Sequence, residues 1–142
     1  MSWRNAKVEM SVNGSSWTDI SGFANSVAVD GGERATSDFF TNDGDTPILT
    51  SGKRASLGVT CRVVYTEGGS EVTEIVRVAY EGNSPFYLRW SPKGGGSTTF
   101  MFTTSAGVIQ RPVYPVGSAD SADLVAVEIA LKVVTIAKSV VA

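Results

Sequence analysis

The sequence predicts a mainly β domain with one flanking helix and one very long connection. Three observations carry that expectation. Apolar and polar residues alternate in several short runs, the period of a strand with one buried face. Turn-forming pairs and glycine-rich stretches separate those runs. Only one segment, 71–81, places its apolar residues at helical spacing. A chain of 142 residues is of single-domain size and long enough to bury a core, so 1–142 is read as one domain.

In chain order, Lys7 to Val12 alternates Val8, Met10 and Val12 against Lys7, Glu9 and Ser11. Asn13-Gly14 offers the positive φ angles of a tight hairpin turn, and Trp17 to Ile20 is the expected returning strand. Ser21-Gly22 resets the chain into a strand from Phe23 to Val29, with Phe23, Val27 and Val29 on one face. Residues 30–54 then show neither strand nor helix period and read as a long loop. Connections usually run to about 4–6 residues, and structureless ones beyond about 12–15 are disordered or functional. This loop carries Phe39-Phe40 and Ile48-Leu49, apolar pairs for which a solvated linker has no use. Two compatible readings stand: disorder in the free chain, and an assembly arm that another copy covers.

After the loop, Ser56 to Tyr65 turns Leu57, Val59, Cys61, Val63 and Tyr65 to one face and Ser56, Gly58, Thr60, Arg62 and Val64 to the other. The helix at 71–81 follows, with Val72, Ile75, Val76 and Ala79 on its buried stripe. Ser70 is the expected N-cap, Glu71 and Glu74 suit the positive end of the helix dipole, and Gly82 is placed to take a left-handed conformation beyond the end. Phe86 to Trp90 and Thr98 to Thr104 read as a hairpin across Ser91-Pro92-Lys93-Gly94-Gly95-Gly96. Residues 107–121 are irregular, with Pro112 and Pro115 against a central strand. Leu124 to Lys132 is the last expected strand, with Val125, Val127, Ile129 and Leu131 inward, and 137–142 is expected to be a loosely ordered tail.

Composition narrows the function. Twelve basic residues against fourteen acidic ones give a net charge of −2, and no basic cluster provides the footprint that tight phosphate binding needs. Cys61 is the sole cysteine and reads as a small buried hydrophobe. No apolar run approaches a membrane span and the N-terminus lacks a signal-peptide apolar segment, which predicts a soluble protein made in the cytoplasm. Histidine is absent, which removes Ser-His-Asp and Cys-His centres, His-ligated metals and the commonest general base. Gly52-Lys53-Arg54 lacks the glycine and hydroxyl residues of a phosphate loop, and Gly94-Gly95-Gly96 joins strands instead of opening a helix. Asn42-Asp43-Gly44-Asp45 departs from the EF-hand pattern and reads as a solvated turn. A hydrolase built from carboxylates alone stays open at this stage. No cofactor is expected, and the chain is read as no enzyme.

The order of elements, together with the stretches Asn42-Asp43-Gly44-Asp45-Thr46-Pro47 and Ser51-Gly52-Lys53-Arg54 and the strand ending Trp90-Ser91-Pro92-Lys93-Gly94, resembles the major tail (tail tube) proteins of long, non-contractile-tailed bacteriophages. The tube proteins of contractile tails and of type VI secretion are related. The resemblance implies a β-sandwich or barrel-like tail tube fold with one flanking helix. Six copies would close a ring whose inner sheets join into a barrel, and stacked rings would form the virion's tail tube, through which DNA passes without specific binding. It implies self-association as the chief partnership, with tape-measure, terminator and tail-tip proteins beside it. The inter-ring arm would then comprise Glu33, Arg34, Phe39, Phe40, Asp43, Asp45, Ile48, Leu49, Lys53 and Arg54. The lumen face would carry Ser26, Ala28, Ser56, Gly58, Thr60 and Arg62, a small and mostly uncharged lining to which Arg62 is the exception, with pairing to a neighbouring carboxylate the first thing to check. The competing reading is another virion structural protein or a carbohydrate- or receptor-binding β-sandwich with a stacking platform drawn from Trp3, Trp17, Tyr87, Trp90 and Tyr114.

Overall fold

The computed structural model describes residues 3–65, 71–115, 119 and 125–141. Among the described residues, eleven strands and one helix follow a short 3₁₀ turn: β1 (Lys7–Ser11), β2 (Thr18–Asp19), β3 (Ala24–Gly31), β4 (Arg34–Phe39), β5 (Ile48–Arg54), β6 (Leu57–Val64), α1 (Val72–Glu81), β7 (Tyr87–Ser91), β8 (Phe100–Thr104), β9 (Val108–Ile109), β10 (Ala126–Val133) and β11 (Ile136–Val140). They form a five-stranded sheet in the order β11-β8-β7-β1-β2, a four-stranded sheet in the order β3-β6-β10-β9, and a separate β4-β5 ribbon. Every pairing is antiparallel.

Alternation in the sequence becomes burial. Val8, Met10, Leu88 and Trp90 of the first sheet meet Val59, Cys61, Val63, Val127, Ile129 and Leu131 of the second in one core, which Val72, Val76 and Ala79 of α1 join. Each such aliphatic side chain contributes about 1.5–3 kcal/mol when fully buried, so the core and not local propensity holds the sheets face to face. Cys61 lies within it, and burial pushes its thiol up to about 12.

Several local expectations are corrected. Residues 30–54 are not a structureless loop: β3 runs on to Gly31, and β4 and β5 form a hairpin whose tip alone, 40–47, lies outside strands. The Asn13-Gly14 turn is not a two-residue turn. The chain spends 12–17 between β1 and β2, with Asn13 Oδ1 accepting from the backbone N–H groups of Ser15 and Ser16 at 2.9 and 2.8 Å, while Gly14 alone takes a positive φ there. Glu71 stands at the N-cap position, one residue after the expected Ser70, which lies outside the described residues, and its side chain makes no capping hydrogen bond. At its other end Gly82 keeps a right-handed φ of −84°, and Asn83 takes the left-handed one at +49°. Asn83 N–H donates to Tyr80 O and Ser84 N–H to Ala79 O, the paired bonds of a Schellman ending. The helix thus ends at Glu81 as expected, but the left-handed residue comes one position later, and asparagine tolerates the conformation that glycine was expected to take.

Along the helix, Val76 is buried, Ile75 is half-buried and Thr73 is buried in addition. In β10 the inward residues are Val127, Ile129, Leu131 and Val133, whereas Val125 is exposed ahead of the strand. The irregular stretch after Gly107 opens with the short edge strand β9, and Pro112 and Pro115 lie beyond it. The tail is not loose up to Val140: β11 pairs with β8 along its whole length, from Ile136↔Thr104 to Val140↔Phe100.

Candidate assembly surfaces

The β4-β5 hairpin is an arm. Its strands pack chiefly on each other, and its root continues the β3-β6 ladder through Gly32 N–H to Ser56 O at 3.1 Å and Ala55 N–H to Glu33 O at 2.9 Å. Gly31 and Gly32 sit at this root with φ of +75° and +76°. A Cβ on Gly31 would come within 2.7 Å of Ser56 O, and one on Gly32 would meet the Leu57 side chain. Only glycine serves at the joint, because other residues are strained at such φ and have no space.

Phe39 opposes Ile48 and Asp38 opposes Leu49 across the arm. Phe39, Phe40, Ile48 and Leu49 are 65%, 62%, 53% and 70% exposed. Asp43 and Asp45 lie in the exposed tip, whereas Glu33, Arg34, Lys53 and Arg54 gather at the root. Arg34 opposes Arg54, and its guanidinium donates to Gly52 O at 3.3 Å. The arm is therefore polarised, with cations at the root and an acidic apolar tip. Nine of the ten residues expected of an assembly arm fall within this hairpin, and Glu33 immediately precedes it.

The second sheet has an outer face, opposite its core. Ser26 pairs with Arg62, Ala28 with Thr60 and Asp30 with Gly58, and on the other side of β6 these meet Glu128, Ala130 and Lys132. Five of the six residues expected to share a face do so, and Ser56 joins them at the exposed turn before β6. Sequence reasoning missed Asp30, Glu128 and Lys132, which add charge to a face expected to be mostly uncharged. The alternation of β10 already turns Glu128 and Lys132 away from the core, but only the β6-β10 pairing sets them beside Arg62 and Gly58. Charges on this face balance, Arg62 and Lys132 against Asp30 and Glu128. Arg62 forms no ion pair among the described residues, and Glu128 is approached by Arg111 at 3.8 Å. A Cβ on Gly58 would meet only the carboxylate end of the exposed Asp30 side chain, which can turn aside.

On the outer face of the first sheet, Arg89 donates twice to Glu9, at 3.0 and 2.9 Å, and lies 4.3 Å from the ring centroid of Trp17, which meets Tyr87 edge-on. The expected aromatic platform does not form. Trp90 points into the core and stacks on Phe102, on the opposite side of β7 from Tyr87, so the rings expected to receive a sugar are divided between two faces. Among the described residues no three His, Cys, Asp or Glu side chains gather as a metal site, and no helix is long and apolar enough to cross a membrane.

No family model matches the chain, and no curated protein sequence matches it. Solved structures match it in fold. A chain from the tail of an empty gene transfer agent (GTA) particle with C6 symmetry aligns with a TM-score of 0.68 at 14% identity, covering 100% of this chain and 99% of that one. A chain from the sheath-tube complex of an extracellular contractile injection system (PVC), in its extended state, aligns at 0.64 and 16% identity over 97% of this chain and 90% of that one. A chain from the six-fold symmetrised baseplate of the anti-feeding prophage (AFP) aligns at 0.69 and 11% identity over 96% and 93%. The fold is tail-tube-like, and the likeness extends to contractile injection systems as well as a GTA tail, so it does not single out non-contractile phage tails.

Proposed function

We propose that this chain, whose fold is tail-tube-like, is the structural subunit of the tail tube of a phage or phage-like particle, closing six-membered rings that stack into a conduit for DNA. The observation that carries the proposal is the arm. Four large apolar side chains, each more than half exposed, lie on one ribbon, with Phe39 and Ile48 on one face and Leu49 on the other; a monomer has no use for them and second copies would cover them. Sheet edges support the same reading. β3 leaves an eight-residue edge of the second sheet unpaired, and joining such edges between copies hides backbone groups that otherwise invite aggregation.

The outer face of the second sheet suits a lumen. Its charges cancel, and a conduit without a basic stripe avoids the counterion-release affinity that would hold DNA in place. A stack of rings joined head to tail has two unlike ends. One end presents free arms and the other the surfaces that arms would meet, so two different capping partners are called for, a terminator and a tip complex, with a tape-measure protein inside.

Electron microscopy and size-exclusion chromatography of the purified protein test the proposal. The expected products are rings and tubes. Phe39→Ser combined with Phe40→Ser should leave a folded monomer, since both side chains are exposed, while assembly is lost. A parent protein that stays monodisperse and small at all concentrations, or a double variant that builds tubes of normal length, overturns the reading.

A further inference from the structure

β8 and β11 carry the core face of the first sheet past the region that other elements cover. Cross-strand partners share a face, so Phe102, paired with Trp90 and with Lys138, and Phe100, paired with Val140, continue the row that Val8 and Trp90 begin. Val8 and Trp90 are buried and Phe102 is half-buried against Trp90, but Phe100 and Val140 are 51% and 57% exposed. The core opens here into a cleft of about 410 Å³ lined by Pro92, Lys93, Thr98, Thr99, Phe100 and Phe102. Lys138 stands beside it, its ammonium 4.3 Å from the Phe100 ring centroid.

We propose that this cleft receives the arm tip of a second copy, an inference that rests on reading the β4-β5 hairpin as an assembly arm. Charge argues for that occupant. From Ala35 to Gly52 the arm holds Asp38, Asp43 and Asp45 and no cation, whereas the segments that frame the cleft, 92–105 and 135–141, hold Lys93 and Lys138 and no acidic side chain. An apolar centre with an oppositely charged rim on each partner is the ordinary anatomy of a specific interface.

Direction argues for it as well. The arm leaves the domain where β6 begins, and Leu57 there pairs with Val133 at the end of β10. β11 starts three residues later and runs back to Val140, beside Phe100. Five strand residues span about 17 Å. The cleft end of the first sheet adjoins the far end of β6, since Ile20 N–H donates to Val8 O, Ala24 N–H donates to Ile20 O and Ala24 pairs with Val63. Thus arm root and cleft lie at opposite ends of the domain. The arm of one copy therefore meets the cleft of the next in the same orientation, a head-to-tail contact that repeats without limit.

Paired charge reversals test this docking. Asp43→Lys with Asp45→Lys alters the arm, Lys93→Glu with Lys138→Glu alters the cleft, and a quadruple variant combines them. All four positions are exposed, so the thermal unfolding of each isolated subunit should match the parent. In sedimentation assays each pair should raise the concentration needed for assembly by about tenfold or more, and the quadruple variant should return it to the parent's value. If the arm pair blocks assembly while the cleft pair does not, or the quadruple variant is no better than the arm pair, the cleft is not the receptor although the arm still serves assembly. If replacing 40–47 by Asn-Gly also leaves assembly unchanged, the arm reading fails and the docking falls with it.

Discussion

Glu9 shows how an ionisable side chain on the outer face of a sheet is held by a cross-strand partner. Its side chain is only 8% exposed, yet it is ionisable, and the structure meets that cost with two Arg89 bonds and Lys7 at 3.8 Å. Glu9 and Arg89 are direct cross-strand partners between β1 and β7, and the guanidinium is held in place by Trp17. Removing only the arginine leaves a carboxylate with poor access to water, and a buried group deprived of its partner costs about 1–3 kcal/mol. Arg89→Leu should therefore lower the unfolding free energy of the isolated subunit by that amount, seen as a lower urea midpoint at unchanged denaturant slope. The double variant Glu9→Leu, Arg89→Leu should lose less, because no charge is left behind. A single variant as stable as the double would show that Lys7 and water suffice for Glu9.

At the scale of elements, the helix and the arm are opposites. In α1 the apolar stripe faces the core, so period and burial coincide, and Val76 is fully buried while Val78, two residues on, is exposed. Val76→Asp places an unpaired charge in the core and should cost several kcal/mol, enough to unfold a marginally stable domain. Val78→Asp should be nearly silent in the same thermal melt, as should Glu74→Ala, whose partner Arg77 still holds Glu81. Equal melting temperatures for the two valine variants would mean that the helix is rotated from the orientation described. This helix was readable from sequence because one of its faces is dry. The arm was not, because both faces of its ribbon meet solvent, and nothing forces polar and apolar residues to alternate between Arg34 and Arg54. Its apolar pairs nonetheless stand out in the sequence, and all four side chains are exposed in the fold. β11 was missed for a related reason. Ala137, Lys138 and Ser139 lie on an exposed edge strand, where burial leaves little imprint on sequence, and only its ladder with β8 reveals it.

For the whole molecule the question is which surface faces the proposed conduit, and the sheet pairings make it testable. The residues of the outer face could be named from single strands, but their charge balance could not, because it depends on β10 lying beside β6. Ser26 and Ala28 are exposed in β3 and flank no core side chain on that face. Lysine at both positions should leave the fold and the assembly intact while adding two positive charges per copy to the proposed lumen. Assembled tubes of the double variant should then hold DNA in a strongly salt-dependent way, where parent tubes show little affinity. Binding alone does not locate the charges, since lysines on the outside of a tube would attract DNA too. Nuclease treatment does. DNA held in a lumen is shielded along its length, whereas DNA on the outer wall is digested. Salt-sensitive DNA that resists nuclease is the expected result, and DNA that binds yet is fully digested would turn this face outward and require another surface to line the channel.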